Sequence, residues 1–156
     1  MRIRMLLYDA LVYPLKVWSY MEFSSFEELQ EFFSHDEFAT KCLGAHVVSY
    51  DKETGAATVA MTIDDRHHNA QGYVMGGVLF ALCDFALAVA TNVGQEPSSS
   101  VAHSIQFMRR AKTDELRAVA KPDKLGSTLA FFTVDVFDGF DRHLCRMTAT
   151  CMRTDH

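Results

Sequence analysis

The chain has 156 residues and a mass of 17.6 kDa, room for one compact domain and little for a second. Its 49% apolar content can fill a core, which excludes disorder as the dominant state, and its formal net charge of -5 gives no electrostatic basis for general binding to nucleic acid or anionic membrane. The charge is uneven: residues 1–100 carry 6 basic and 13 acidic groups, residues 101–156 carry 9 and 7, so an anion site would draw on the C-terminal third.

Residues 1–20 begin with Arg2 and Arg4 ahead of apolar residues, as a signal peptide does. Asp9, Pro14 and Lys16 break the stretch and no small-residue cleavage site follows, which argues against secretion. Met21 stands directly before a helix-start signature. Residues 1–20 therefore read as an N-terminal extension, with Met21 the alternative natural start, ahead of a domain of residues 21–156. Ser24 and Ser25, each followed three residues later by Glu27 or Glu28, form overlapping capping boxes, and Phe26, Leu29, Phe33 and Phe38 supply an apolar side. These predict a helix over about residues 25–38.

From Gly44 the pattern turns to strands. Ala45 to Tyr50 and Ala56 to Ile63 flank a polar loop ending in Gly55 and read as a hairpin. A long polar loop covers residues 64–77, and the Ala- and Leu-rich run from Val78 to about Asn92 is too long for a strand and reads as a buried helix. After a break at Val93 to Ser99, strands are predicted over about residues 100–110, 115–121, 127–137 and 143–153, the last two joined through Asp138-Gly-Phe-Asp141. One central helix among five or six strands gives an α+β domain whose antiparallel sheet wraps the helix. No apolar run reaches the ~18 residues of a membrane-spanning helix. Four cysteines without a C-x-x-C spacing build neither a disulfide scaffold nor a zinc site, so a reduced, cytoplasmic protein is expected.

The chemistry concentrates between His67 and Asp84. Asp84 is the only charge in the predicted buried helix, and a desolvated carboxylate costs several kcal/mol unless it has partners or a task. It is either a hydrogen-bonded packing residue or a base. Gly76-Gly77 opens the helix and exposes backbone N–H groups at its positive end, suited to a developing oxyanion; the alternative is a tight turn or close helix-to-sheet contact. Asp84 lies seven to eight residues beyond the glycines, roughly 11–12 Å along the axis, so one chain does not easily bring both to one atom. Two antiparallel helices about a two-fold axis would, which favours a homodimer with shared sites. Asn69 either orients a substrate or water, or stabilises its turn. His67 and His68 are the nearby proton-transfer candidates, but adjacent histidines do not form the i, i+4 pair of a helical zinc site, and no metal is expected.

These residues carry a resemblance. H-x-N-x-x-G at His67, Asn69 and Gly72, followed by G-G-x-x-F-x-L-x-D at Gly76, Gly77, Phe80, Leu82 and Asp84, is similar to the hotdog-fold acyl-CoA thioesterases of the phenylacetate-degradation (PaaI-like) type. The similarity continues through Ile105 to Lys112 and Gly126-Ser-Thr128, covering about residues 40–156. It implies a hotdog fold, a homodimer pairing into a homotetramer, and hydrolysis of an acyl- or aryl-CoA with no cofactor beyond the coenzyme A of the substrate. It further implies that Asp84 is general base or nucleophile, that the Gly76 N–H polarises the thioester carbonyl and that Asn69 positions water. Gly77, Met75, His67, Phe80 and Ser100 fall at or near substrate-facing positions, and Arg109, Ser127 and Thr128 at positions that hold coenzyme A in some members. Two residues depart from the pattern: Met75 stands where the family has His before its glycines, and Arg110 where it has Pro after the arginine. Arg109, Arg110, Lys112, Lys121, Lys124 and Arg142 are the basic groups available to phosphates. Met75, Val78, Leu79 and Phe80 could line an acyl channel. The alternatives are a non-catalytic acyl-CoA-binding protein, with Met75 marking a decayed site, and a hotdog dehydratase of hydroxyacyl thioesters.

Overall fold

The computed structural model describes residues 21–153; the expected extension over residues 1–20 lies outside them. Ser25 caps the first helix, α1 (Phe26–Ser34), by accepting the Glu28 N–H, while the Glu28 carboxylate takes the N–H and hydroxyl of Ser24. Leu29 and Phe33 are buried beneath it. The helix is shorter than its pattern predicts. His35 ends it, and Asp36 accepts the Ala39 N–H at the head of a separate π-helical turn, Phe38–Cys42. The break carries Phe38 off the apolar side, where it was expected, and leaves it 65% exposed.

Six strands follow: β1 (His46–Tyr50), β2 (Ala57–Thr62), β3 (Ser98–Phe107), β4 (Glu115–Leu125), β5 (Leu129–Asp138) and β6 (His143–Arg153). They form one antiparallel sheet in the order β1-β2-β4-β5-β6-β3. A single long helix, α2 (Gly76–Asn92), lies across one face, as expected of a hotdog fold. Strand burial alternates along β4, β5 and β6, and the inward residues Val59, Met61, Ala118, Phe132, Val134 and Met147 meet Leu82, Leu87 and Val89 of the helix, all at most 2% exposed. No described helix is long and apolar enough to cross a membrane.

The predicted strand at residues 115–121 runs on to Leu125 despite Pro122. Strand β2 pairs with β4 only as far as Ala120, so beyond it β4 has β5 on one side alone, and a residue without an N–H is tolerated there. The strand predicted over residues 100–110 is shifted to Ser98–Phe107. Asn92 at the end of α2 accepts the Ser98 N–H and starts the strand early, and Arg153 braces the same corner through Glu96 O and Ser98 Oγ.

Asp138 organises the opposite end. It is 1% exposed, and its carboxylate accepts the backbone N–H groups of Lys112, Phe140 and Arg142, tying the β5–β6 turn to the segment that follows β3. Burial works to raise its pKa, but the three N–H donors outweigh it and hold the carboxyl below the usual carboxylate range. A group shifted in that direction stabilises the fold at neutral pH and loses its contribution as pH falls through the lowered value. Replacing Asp138 by Ala leaves three N–H groups unpaired, so Asp138→Ala is expected to lower unfolding free energy by about 2–4 kcal/mol at pH 7. Denaturant titration should show that difference shrinking at acidic pH.

Candidate active site

The loop before α2 is built by its own polar side chains. Asp64 accepts the Arg66 N–H, and His67 Nδ1 accepts the Asp64 N–H at 2.9 Å, a reciprocal cap around the short turn Asp65–His67. Asn69 Oδ1 accepts from the N–H groups of Gln71 and Tyr73, and Gly72 completes the reversal at a φ of +76° that favours glycine. Met75 N–H then bonds His67 O, fixing where the helix begins. Asn69 thus serves the turn with its oxygen, and its Nδ2 is the part of the side chain left for a ligand. His67, expected to face substrate, is instead buried within this loop and does not line the adjoining groove.

Gly76 and Gly77 are the first two residues of α2, and helix geometry gives their N–H groups no partner inside the helix. Met75 provides no side-chain cap, so nothing from its side chain competes for them. A Cβ on Gly76 would sit 3.2 Å from Phe107 Cζ, so glycine lets the strand-end ring close over the helix start. Met75 is half-exposed, and its Cε lies 2.6 Å from where a Cβ on Gly77 would be, so it covers the second glycine.

A groove of about 630 Å³ opens at this helix start. Ile63, Leu79 and Leu144 give it apolar walls, while Arg109, Arg110 and Lys112 line it with positive charge against the single carboxylate of Asp114. Arg110 lies over the Tyr73 ring, 3.5 Å from its centroid, so this arginine is held at the groove by a cation–π contact.

Asp84 does not occupy the buried position expected of it. Its side chain is 55% exposed, on a strip of α2 formed by Gly77, Phe80, Ala81, Asp84 and Ala88 that the chain's own sheet leaves partly uncovered. Partial burial raises its pKa, the neighbouring His103 opposes this, and Asp36 adds to it. His103 was missed by the sequence reading, which had only His67 and His68 as histidines near the site. Its Nε2 is 4.0 Å from Asp84 Oδ1, and its ring packs against Phe80 with centroids 5.4 Å apart.

The facing of His103 is set by pairing with β6, which the sequence of the strand does not record. The register of β3 against β6 shifts between Ser100 and Ala102, and this bulge brings Ser100 onto the face that His103 occupies. Ser100, His103, Ile105 and Phe107 then pair with Cys151, Ala149, Met147 and Cys145, all inward-facing, so all four share the helix side.

The expected residues therefore fall into separate groups within one chain. Gly76, Gly77, Met75 and Arg109 gather at the start of α2, whereas Asp84 and Phe80 lie around its middle beside the unexpected His103, and Ser100 shares the helix side of β3 with that histidine. Ser127 and Thr128 sit in the exposed β4–β5 turn, where Thr128 O accepts the Arg153 N–H. That corner adjoins the beginning of β3, and Arg109 follows its end, so about 30 Å of strand separates them. Cys83, Cys145 and Cys151 are buried free thiols, and contact to Cys145 together with burial drives the Cys83 thiol pKa far upward.

A family model described as the thioesterase superfamily matches residues 71–145, the segment from the site loop through the start of β6. A putative esterase of Deinococcus radiodurans is 32% identical over 89 residues, 57% of this chain and 61% of that protein, so the match spans about three-fifths of the relative's length. Among solved structures, the PaaI protein from the phenylacetic acid degradation operon of E. coli superposes with a TM-score of 0.72 at 24% identity, covering 84% of this chain and 97% of its own. A mutant of the phenylacetic acid degradation protein PaaI from Thermus thermophilus superposes at 0.68 and 26% identity, covering 74% and 97%. In sequence and in fold, the chain resembles the PaaI-like hotdog thioesterases.

One substitution tests the role of glycine at the helix start. Gly76→Pro removes a single N–H while keeping a residue type favoured at the first helical position, and Met75 already has the extended backbone (ψ 139°) that a following proline requires. The added ring carbons meet Phe107, which must shift, so the variant is expected to retain its helical circular dichroism and to lose about 1–3 kcal/mol of unfolding free energy.

Proposed function

We propose that this protein hydrolyses an acyl- or aryl-CoA thioester, as a homodimer whose two sites are each built from both chains. The observation that carries this reading is the pairing, on one helix, of unpartnered Gly76 and Gly77 N–H groups beside a cation-lined groove with a solvent-accessible carboxylate two turns away. The thioester carbonyl accepts from the helix-start N–H groups of one chain. Asp84 of the other takes a proton from water as its oxygen bonds to the carbonyl carbon. Collapse of the tetrahedral intermediate breaks the C–S bond, and the proton passes to the departing sulfur, giving free acid and coenzyme A. Asp84 acting as the nucleophile is the variant of this chemistry that the same geometry serves. No cofactor is needed beyond the coenzyme A of the substrate.

Two open surfaces support the dimer. Strand β3 is a sheet edge with most residues exposed, and the uncovered strip of α2 lies beside it. Antiparallel pairing of two such edges lays the two α2 strips together, sets Gly76 of one chain near Asp84 of the other, and brings Arg109 toward the opposite chain's Ser127 and Thr128. Both separations within one chain are relieved by the same two-fold axis. Leu129, Phe131 and Met152, exposed on neighbouring β5 and β6, form an apolar patch that suits pairing of dimers into a homotetramer. The buried free thiols fit a reducing, cytoplasmic setting.

Asp84→Asn is expected to cut kcat by about 100-fold or more, measured as thiol release from a panel of acyl-CoAs. Parent-like turnover by this variant would remove Asp84 from the reaction. Because the Asp84 pKa is raised, the acid limb of kcat/KM should fall at a pH above the ordinary carboxylate range, with activity lost as pH drops and the base is protonated.

Gly76→Pro should likewise be inactive, which allows a test of shared sites. Co-expressed at equal levels, Asp84→Asn and Gly76→Pro chains would form mixed dimers in which one site of two is intact, restoring about a quarter of parent activity. No recovery above the separate variants would place each site within one chain. A dehydratase reading draws its one supporting observation from the His103–Asp84 contact, and it is distinguished by an enoyl thioester product without thiol release.

A further inference from the structure

His103 is the feature of this site that the reaction as described leaves unused. It lies on the helix side of β3 through its pairing with Ala149, in regular alternation with Ile105 and Phe107. Its side chain is 15% exposed, and its Nε2 is a buried polar atom without a hydrogen-bond partner among the described residues. The Phe80 ring, one helical turn before Asp84, packs against the imidazole at an interplanar angle of 53° and limits its swing. Nε2 therefore faces the Asp84 carboxylate at 4.0 Å, too far for a direct hydrogen bond and close enough for one water or a small side-chain rotation to complete the link.

We infer that His103 is a positioning residue for Asp84, and that the two form a coupled imidazole–carboxylate pair in which Nε2–H, directly or through water, fixes the orientation and protonation of the base. The inference rests on the proposal that Asp84 is the base of a thioester hydrolase. An orphaned imidazole nitrogen gains a partner, and a half-exposed carboxylate with several rotamers gains a fixed direction. The other titratable groups near Asp84 are Asp36, from the segment after α1, Cys83 on its own helix and Cys151 on β6. Asp36 is anionic and the buried thiols remain neutral, so His103 is the only one of these groups able to place positive charge beside Asp84.

Coupling has a definite sign for Asp84: a positive imidazole beside the carboxylate favours its ionised form, so loss of the imidazole raises the pH at which Asp84 takes up a proton. The first measurement is an NMR spectrum of the histidine rings in the full-length protein at one fixed pH, with the His103 signals identified by their loss in His103→Gln. In Asp84→Asn the His103 ring resonances should move while those of His46 and His143, on other strands, stay in place. Since Asp84 is exposed, this variant is expected to keep its fold. Unmoved His103 resonances overturn the pairing.

Kinetics gives the second readout. His103→Leu should lower kcat by about tenfold with KM within about twofold, and should move the acid limb of the rate profile to higher pH. His103→Gln, which retains an N–H donor without a titrating charge, should recover part of kcat but not the position of the acid limb. Parent-like kcat and acid limb in His103→Leu would also overturn the inference. If the parent releases no thiol from any acyl-CoA, the thioesterase reading fails, and the NMR comparison of parent and Asp84→Asn still decides whether the pair exists.

Discussion

Burial of α2 is the constraint on which the rest of the molecule depends. Seventeen residues with almost no polar side chains must be covered, and the sheet, helped by Phe33 of α1 against Phe85, covers all but one strip. Leu82, Leu87 and Val89 meet the inward faces of β2, β4, β5 and β6, a helix-wide contact of fully buried side chains in which each deleted methylene costs about 1 kcal/mol. What the sheet leaves uncovered is a narrow strip, and the carboxylate lies on it. A charge on any of the other faces would be desolvated without compensation.

The same packing fixes the helix start. Because α2 must begin where the sheet ends, the loop from Asp64 to Met75 has to deliver the chain there, and it does so through the His67 cap, the Asn69 turn and the Met75 N–H. The residues of this loop are therefore occupied first with building the loop. Phe107 at the end of β3 closes on Gly76, so one absent Cβ lets helix and strand meet and leaves the N–H group facing the groove.

Charge is distributed by the fold in a way net composition conceals. The chain is acidic, yet Arg109, Arg110 and Lys112 converge on one groove because Asp138 anchors the Lys112 N–H and the Tyr73 ring holds Arg110. Arg110, which stands where the thioesterases that this chain resembles have proline, contributes a cation there. Met75, which stands where they have histidine, contributes a thioether over Gly77. Neither residue disturbs the backbone donors or the Asp84 carboxylate.

Much of this was legible in the sequence, because local patterning and tertiary structure agree wherever burial is strong. The capping boxes, the Gly55 and Asp138–Asp141 turns, the apolar helix and the alternating strands each reflect a short-range rule, and each appears within a few residues of its predicted place. The motif from His67 to Asp84 is likewise contiguous, so its family resemblance could be read directly. What only the tertiary structure decided depends on register between distant segments. A helical period does not tell which side of a wholly apolar helix stays open, so Asp84 read as buried. The end of α1 was set by Asp36 and the following turn, so Phe38 was misplaced. The pairing of β3 with β6 put His103 on the helix side, beside Phe80 and Asp84, because strand faces are assigned by a distant partner and not by the strand's own sequence.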